Sequence, residues 1–214
     1  MTILIVGGTK GIGLAIAKAF APDAGNVILA YHSDEAAAEA VVQAGGRASL
    51  VKADAGTPEG CAAMIDAARA LTDRLDQVVH CAVDAYASPA LAADPIRFAR
   101  AVTTNGTSLL FLVQAALPLL SRGSTIFYLT SRGGRIVVPN YAAVGVSKAL
   151  AESLMRYLAV ELAPKGVRMN AIAPAIVETD PCGRCSARRR PVSSATRRDT
   201  IRPAGASQTP TTPV

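Results

Sequence analysis

Tryptophan is absent from this 214-residue chain, and aromatic residues of all kinds make up only 4% of it. No basic stripe is interleaved with aromatic side chains, so no stacking platform for bases exists and a nucleic-acid partner is excluded. Cysteine is scarce too: Cys61, Cys81, Cys182 and Cys185 have no spacing that implies a disulfide framework, which points to a reduced, cytoplasmic protein. Cys182-Gly183-Arg184-Cys185 has the spacing of half a zinc site or of a redox pair. A second pair of ligands is missing, so no metal is expected. No apolar run approaches the roughly 20 residues a membrane helix requires, and no membrane is expected. The apolar start Met1 to Val6 has no basic leader and runs straight into glycines, so it reads as a buried first strand rather than a secretion signal. Net charge, finally, is missing from most of the chain. The total of +6 is matched by the surplus in Pro181 to Val214, where seven arginines meet one aspartate, so residues 1–180 are balanced. The arginine cluster 188–190 reads as part of a solvated tail.

What is present is apolar residues, half of the total, which is enough for the core of one α/β domain. Short β-rich runs alternate with alanine-rich segments of helical period, the pattern of βαβ units around a parallel sheet. Strands are expected near 2–6, 26–31, 48–52, 75–80, 124–130 and 167–172. Helix ends are marked by Asp34 with Gly45-Gly46 behind it, and by Thr57-Pro58-Glu59 as cap, first-turn proline and acidic first turn. Longer helices are expected at about 94–118 and 141–163, the second stopped by Pro164-Lys165-Gly166. The fold class that follows is a Rossmann-type, doubly wound parallel sheet in a single domain, 1–180. After Asp180 the composition turns to Arg, Ser, Thr and Pro, and 181–214 is expected to be a disordered tail.

Between the first strand and the first helix stands Val6-Gly7-Gly8-Thr9-Lys10-Gly11-Ile12-Gly13. Glycines at 7, 11 and 13 allow a tight turn, a close backbone approach to a pyrophosphate, and close helix-to-strand contact. The helix start offers unpaired N–H groups to the anion. A glycine motif alone is weak, but its place between a strand and a helix is the context a dinucleotide site demands; the bland alternative is a glycine-rich turn with no ligand. An NAD site would place an acid at the end of the second strand, where this chain has Tyr31-His32-Ser33. Lys10 and His32 suit a 2'-phosphate, so NADPH is expected ahead of NADH. His32 reads equally well as an exposed loop residue.

Tyr141 and Lys148, at the start of the last long helix, are two turns apart and share a face. A nearby ammonium favours the phenolate and makes the phenol a usable proton donor. The plain alternative is a Tyr and a Lys on a helix surface. Ser131 lies ten residues before Tyr141 and is suited either to bonding a substrate carbonyl or to capping the strand end. Tyr128 reads as a strand residue that serves packing, and His80 with Cys81 as strand-end or cofactor-pocket residues.

Together the glycine loop, Asp54 after the third strand, Asn105 in the fourth helix, Thr130-Ser131, Tyr141 with Lys148, and Asn170-Ala171-Ile172-Ala173-Pro174 through Thr179 resemble the short-chain dehydrogenase/reductase family, over residues 1 to about 180. The resemblance implies a cofactor site of Gly7, Thr9, Lys10, Gly11, Ile12, Gly13, His32, Asp54, Ala55, Ala82, Lys148 and Thr179. Asp54 would meet the adenine, Thr179 the nicotinamide or pyrophosphate. Catalysis would fall to Tyr141, Lys148, Ser131 and Asn105, the last supporting the active-site helix and a proton relay. Ordinary members place the lysine four residues after the tyrosine, but position 145 here is glycine. The seven-residue step resembles the enoyl-acyl-carrier-protein reductases, as do His80 in place of the usual asparagine and Arg156 through Leu162.

The resemblance therefore implies an NADPH-dependent reductase of an enoyl thioester in fatty acid biosynthesis, with an acyl thioester as substrate, acyl carrier protein as a possible partner, and a homo-oligomeric assembly. In conjugate reduction the oxygen needing a proton lies further along the chain than in carbonyl reduction, which would suit a tyrosine one turn further from the lysine. The rival readings are a 3-oxoacyl reductase or other carbonyl or alcohol oxidoreductase, and a truncated, catalytically impaired nucleotide-binding remnant. The last arises because nothing in 181–214 reads as the lid helices and seventh strand that family members carry.

Overall fold

The alternating runs build one six-stranded sheet in a computed structural model that describes residues 1–33 and 48–174. The strands are β1 (Thr2–Val6), β2 (Asn26–Tyr31), β3 (Ala48–Lys52), β4 (Gln77–His80), β5 (Thr125–Leu129) and β6 (Arg168–Ile172). They lie in the order β3-β2-β1-β4-β5-β6, and every pairing is parallel. All five residues of β1 are buried, as a strand covered on both faces requires. Side chains alternate along it: Leu4 and Val6 enter one apolar layer, Ile3 and Ile5 the other.

The helices are α1 (Gly11–Phe20), α2 (Pro58–Arg69), α3 (Pro95–Val102), α4 (Ser108–Ala116) and α5 (Ala142–Leu162). The larger layer packs Cys61, Met64 and Ile65 of α2, Leu109 and Leu112 of α4, and Ala151 and Met155 of α5 against the sheet. Across the sheet, Ala17 of α1 joins Ile3, Ile5 and Leu29. Burying each large side chain contributes roughly 1.5–3 kcal/mol, which makes these two layers the main source of the fold's stability. Thr57 caps α2 by accepting the Gly60 N–H at 3.0 Å, the role its sequence position implies.

The long helix expected at 94–118 is realised as α3 and α4 joined by a π turn at Thr103–Thr107. With its last 3-10 turn it spans Pro95–Leu119, long and apolar enough to cross a bilayer by length and composition, which corrects the expectation that no segment comes close. Its α4 portion packs against α2 in the protein core. The helix opened by Asp34, any seventh strand and the tail 181–214 lie outside the described residues.

The strand order reverses between β1 and β4, and the crevice beyond their carboxyl ends is where an open α/β sheet binds its ligand.

Candidate active site

The near wall of this crevice is the turn from β1 to α1. Gly7 stands at φ +78°, a conformation that side chains other than glycine's rarely adopt. A Cβ on it would lie 2.8 Å from the Ala82 amide nitrogen, so two chain passes meet here with no room for a side chain. A Cβ on Gly13 would fall 2.1 Å from the Gly7 carbonyl oxygen, so the first turn of α1 rests directly on the loop. Gly8, which sequence reasoning passed over, is equally confined by Leu29 and the Ile5 carbonyl. Lys10 is the N-cap of α1 and contributes no side-chain cap bond, and the first turn carries no acidic residue. The Lys10 side chain thus caps none of the amides at the start of α1, and the helix dipole favours an anion there. Thr9 is buried and Ile12 half-buried beside them. This cradle, which any Cβ would obstruct, fits a dinucleotide pyrophosphate.

Beyond the ends of β2 and β3 the structure brings His32 and Asp54 together, with Nδ1 3.9 Å from Oδ2. Both are well exposed, so the contact adds little to stability. Asp54 also accepts the Gly56 N–H at 2.8 Å, which ties one of its oxygens into its own turn. Ala55 next to it is buried. Ala82, after β4, packs directly against Gly7. Thr179 lies outside the described residues.

The far wall is made by β5 and α5. Asn140 takes a left-handed backbone, φ +60°, which asparagine tolerates better than most residues, and so turns the chain into α5. Tyr141 follows as N-cap, and its hydroxyl donates to Ser131 Oγ at 3.3 Å. Ser131 in turn accepts the Gly133 N–H at 3.2 Å, the capping use anticipated for it, with its Oγ also in reach of the phenol. Two turns on, Lys148 reaches β5 and donates to the Leu129 carbonyl at 2.7 Å. Their targets are only two residues apart in the chain, which places phenol and ammonium at the same end of β5. Lys148 is buried, and burial lowers its pKa from 10.5 to about 8, with the Cys81 thiol opposing that shift.

Glycine at 145 has a steric cause. A Cβ there would lie 2.6 Å from the Gly133 carbonyl oxygen, while a Cβ on Gly133 would meet the Tyr141 ring at 2.5 Å. The Gly133-Gly134 turn and α5 are pressed together, and a lysine at 145 has no room. Four residues before Lys148 stands Val144, buried in the core, so the ordinary spacing has no phenol to use.

Asn105 sits in the π turn, wholly buried. Its side chain holds the backbone of Asp84 at two points, accepting the N–H at 2.6 Å and donating to the carbonyl at 2.9 Å. Its own carbonyl accepts the Tyr128 hydroxyl. Asn105 thus fixes the segment after β4, and its carbonyl is engaged by Tyr128. That hydrogen bond is also what the packing role assigned to Tyr128 overlooked. His80 is fully buried with Nε2 2.7 Å from Ser108 Oγ, and burial, aided by the Lys148 charge, lowers its pKa to about 3. Cys81 is pushed up to about 12 by burial. Among the described residues no group of three or more His, Cys, Asp or Glu could hold a metal ion.

A cleft of about 480 Å³ opens beside the phenol, lined by Ile136, Val137, Val138, Tyr141 and Val146 among others. Such a volume suits a small or drug-sized ligand.

A family model described as enoyl-(acyl carrier protein) reductase matches residues 6–208 of the chain. The chain belongs to the short-chain dehydrogenase/reductase family. Within it, 1-cyclohexenylcarbonyl-CoA reductase of Streptomyces collinus is 33% identical over 83% of this chain and 65% of its own length. Glucose 1-dehydrogenase 2 of Bacillus subtilis is 31% identical over 84% of this chain and 72% of its own. Among solved structures, a short-chain dehydrogenase of Burkholderia cenocepacia in complex with NADP superimposes with a TM-score of 0.79 at 28% identity, covering 84% of this chain and 75% of that one. This short-chain dehydrogenase/reductase chain thus spans about two thirds to three quarters of the relatives it matches.

Proposed function

We propose that this chain is an NADPH-dependent oxidoreductase that reduces the conjugated double bond of an enoyl thioester. The observation that carries the reading is the catalytic wall itself: Tyr141 bonded to Ser131, Lys148 two turns away, and position 145 closed to a lysine by the Gly133 carbonyl. The matching family description and the Streptomyces relative, by its name a reductase of a cyclohexenylcarbonyl thioester, support the same class.

When bound, NADPH supplies the hydride that the β-carbon of the enoyl group accepts. The α1 amides and Gly7 would hold the pyrophosphate, and Lys148 the ribose hydroxyls. Tyr141 would donate a hydrogen bond and then a proton to the thioester oxygen as negative charge builds there. Ser131 would orient the phenol and share the oxygen. The apolar cleft at Ile136 to Val138 would take the acyl portion. Preference for NADPH over NADH rests on β2 ending at Tyr31 with no acid, and on His32 and Lys10 as residue types that would meet a 2'-phosphate. A coenzyme A or acyl-carrier-protein thioester in the cytoplasm, and a homo-oligomer joined through the exposed Tyr157 and Val160 of α5, complete the proposal.

A second reading, a carbonyl or alcohol oxidoreductase, is favoured by the Ser131–Tyr141 hydroxyl pair and by the glucose dehydrogenase relative. Oxidation of NADPH followed with matched 2-enoyl and 3-oxoacyl thioesters separates the two. Turnover of the enoyl substrate alone is the expected result; turnover of the oxo substrate alone overturns the proposal.

A further inference from the structure

Lys148 is an ammonium in an unusual predicament. It is buried beneath α5, and among the described residues its one hydrogen bond is to the Leu129 carbonyl. Among the described residues no carboxylate pairs with it. Glu152, one turn along the same helix, commits one oxygen to the Thr130 hydroxyl at 2.7 Å and the other to Arg135 at 3.0 Å. Three further titratable groups near it are held in their neutral forms. Burial keeps the Cys81 thiol and the Tyr128 phenol protonated and keeps His80 uncharged, the three lying just beyond β4, on β5 and at the end of β4. Tyr141 on its own helix turns its hydroxyl to Ser131. A buried cation without a counter-charge is costly, so something else must hold it.

The ammonium nitrogen lies over the face of the Tyr128 ring, 4.5 Å from the centroid. That face carries the negative lobe of the aromatic quadrupole, and its attraction for a cation grows as water is removed. The ring is held from three directions. It belongs to β5 and is fully buried, its hydroxyl donates to the Asn105 carbonyl in the π turn, and the His80 ring leans on it at 5.3 Å and 51°. His80 is itself held by Ser108, which bonds back to the Thr104 carbonyl. A chain of contacts therefore runs from the π turn through one ring to the lysine.

We propose that Tyr128 is the positioning residue for Lys148: its ring face seats the ammonium, and its hydroxyl, anchored on Asn105, fixes that ring in place. The π turn then has a purpose, since it presents a carbonyl to the phenol that an unbroken helix would keep within its own ladder. The role holds for any substrate, because it concerns the lysine and not the acyl group.

The test is a graded series in the full chain. Tyr128 is replaced by phenylalanine and by phenylalanine carrying one, two or three ring fluorines, which drain the ring face while nearly preserving shape. Lysine side chains carry a carbon label, the Lys148→Met spectrum identifies the Lys148 signal, and its titration is followed by NMR beside the dissociation constant for NADPH. The expected result is a stepwise fall in the proton affinity of Lys148 with each fluorine, about tenfold across the series, while thermal stability stays level. NADPH binding should weaken in the same order. Tyr128→Leu, apolar but ringless, should fall below the most fluorinated member, and unsubstituted phenylalanine should stay closest to tyrosine. A titration that does not move along the series, or a leucine variant that matches phenylalanine, overturns the proposal. Whether the unsubstituted protein reduces enoyl or 3-oxoacyl thioesters bears on the substrate assignment alone and leaves this titration unaffected.

Discussion

The two walls of the crevice are shaped by opposite means. Where β1 enters α1, geometry comes from missing side chains: Gly7, Gly8 and Gly13 let backbone meet backbone, and the groups offered to a ligand are main-chain amides. Where β5 faces α5, geometry comes from side chains that leave their own element. Tyr141 reaches Ser131, Lys148 reaches Leu129, Asn105 reaches Asp84 and Tyr128 reaches Asn105. A backbone wall has few ways to be wrong and tolerates almost no substitution. A side-chain wall can be altered one group at a time, and its parts carry separable duties, so substitutions should affect the two walls differently.

The largest effect is expected from Tyr141→Phe, which removes the proton donor and leaves the nucleotide cradle intact. Turnover should drop by about 10²–10⁴-fold with little change in NADPH affinity, measured by steady-state kinetics and by fluorescence titration of the cofactor. Comparable loss of both would deny that the walls act separately. Gly13→Ala is the reciprocal change. A Cβ 2.1 Å from a carbonyl oxygen forces the loop off α1, so NADPH binding should weaken by about a hundredfold, ~2.7 kcal/mol, while the Tyr141–Ser131 pair persists.

Asn105→Ala should cost about 1–3 kcal/mol in chemical denaturation, because it leaves a part-buried N–H and carbonyl of Asp84 without the side chain that holds them. Activity should suffer through the segment after β4 rather than through the pH profile. Gly145→Ala, next in size, should lower the melting temperature by several degrees through contact with the Gly133 carbonyl, at a cost of about 1–3 kcal/mol. An unchanged melting temperature would show that the closed position is not what fixes the tyrosine-to-lysine spacing.

The pH dependence refines the picture on the side-chain wall alone. Lys148 has its pKa lowered by burial from 10.5 in the unfolded chain to about 8 in the folded one. Below about 8 it is charged in both states and the folded state bears the desolvation penalty. Between about 8 and 10.5 the folded state gives up the proton first, so stability rises with pH, and above 10.5 the penalty is gone. The full gain is on the order of 3 kcal/mol. Denaturation curves across this window should show the rise in the native chain and lose it in Lys148→Met. NADPH affinity should fall over the same window, as the ammonium is discharged.

The sheet was largely legible in the sequence because its signals are local. Five of the strands were placed within a residue of their ends by β-rich runs and flanking breakers, and Thr57 announced its helix. The fourth began two residues later than expected, since Leu75 donates its N–H to the Leu119 carbonyl instead of joining the ladder. The π turn was not legible: Thr103 to Thr107 continues a helical pattern, and the extra residue per turn is justified by Tyr128 and Asp84, which are distant in sequence. The role of Gly133-Gly134 was hidden for the same reason, since only the approach of α5 shows why two glycines stand there.

Residue order alone determined the parallel α/β class, the glycine cradle and the Tyr141–Lys148 face, because periodicity, turn chemistry and helical spacing are properties of neighbours along the chain. Tertiary structure decided which atoms those groups touch: the phenol on Ser131, the ammonium on a carbonyl and an aromatic face, the asparagine spent on a loop. Such choices depend on which buried polar group has no other partner once the layers close, and that is settled by packing between segments far apart in sequence.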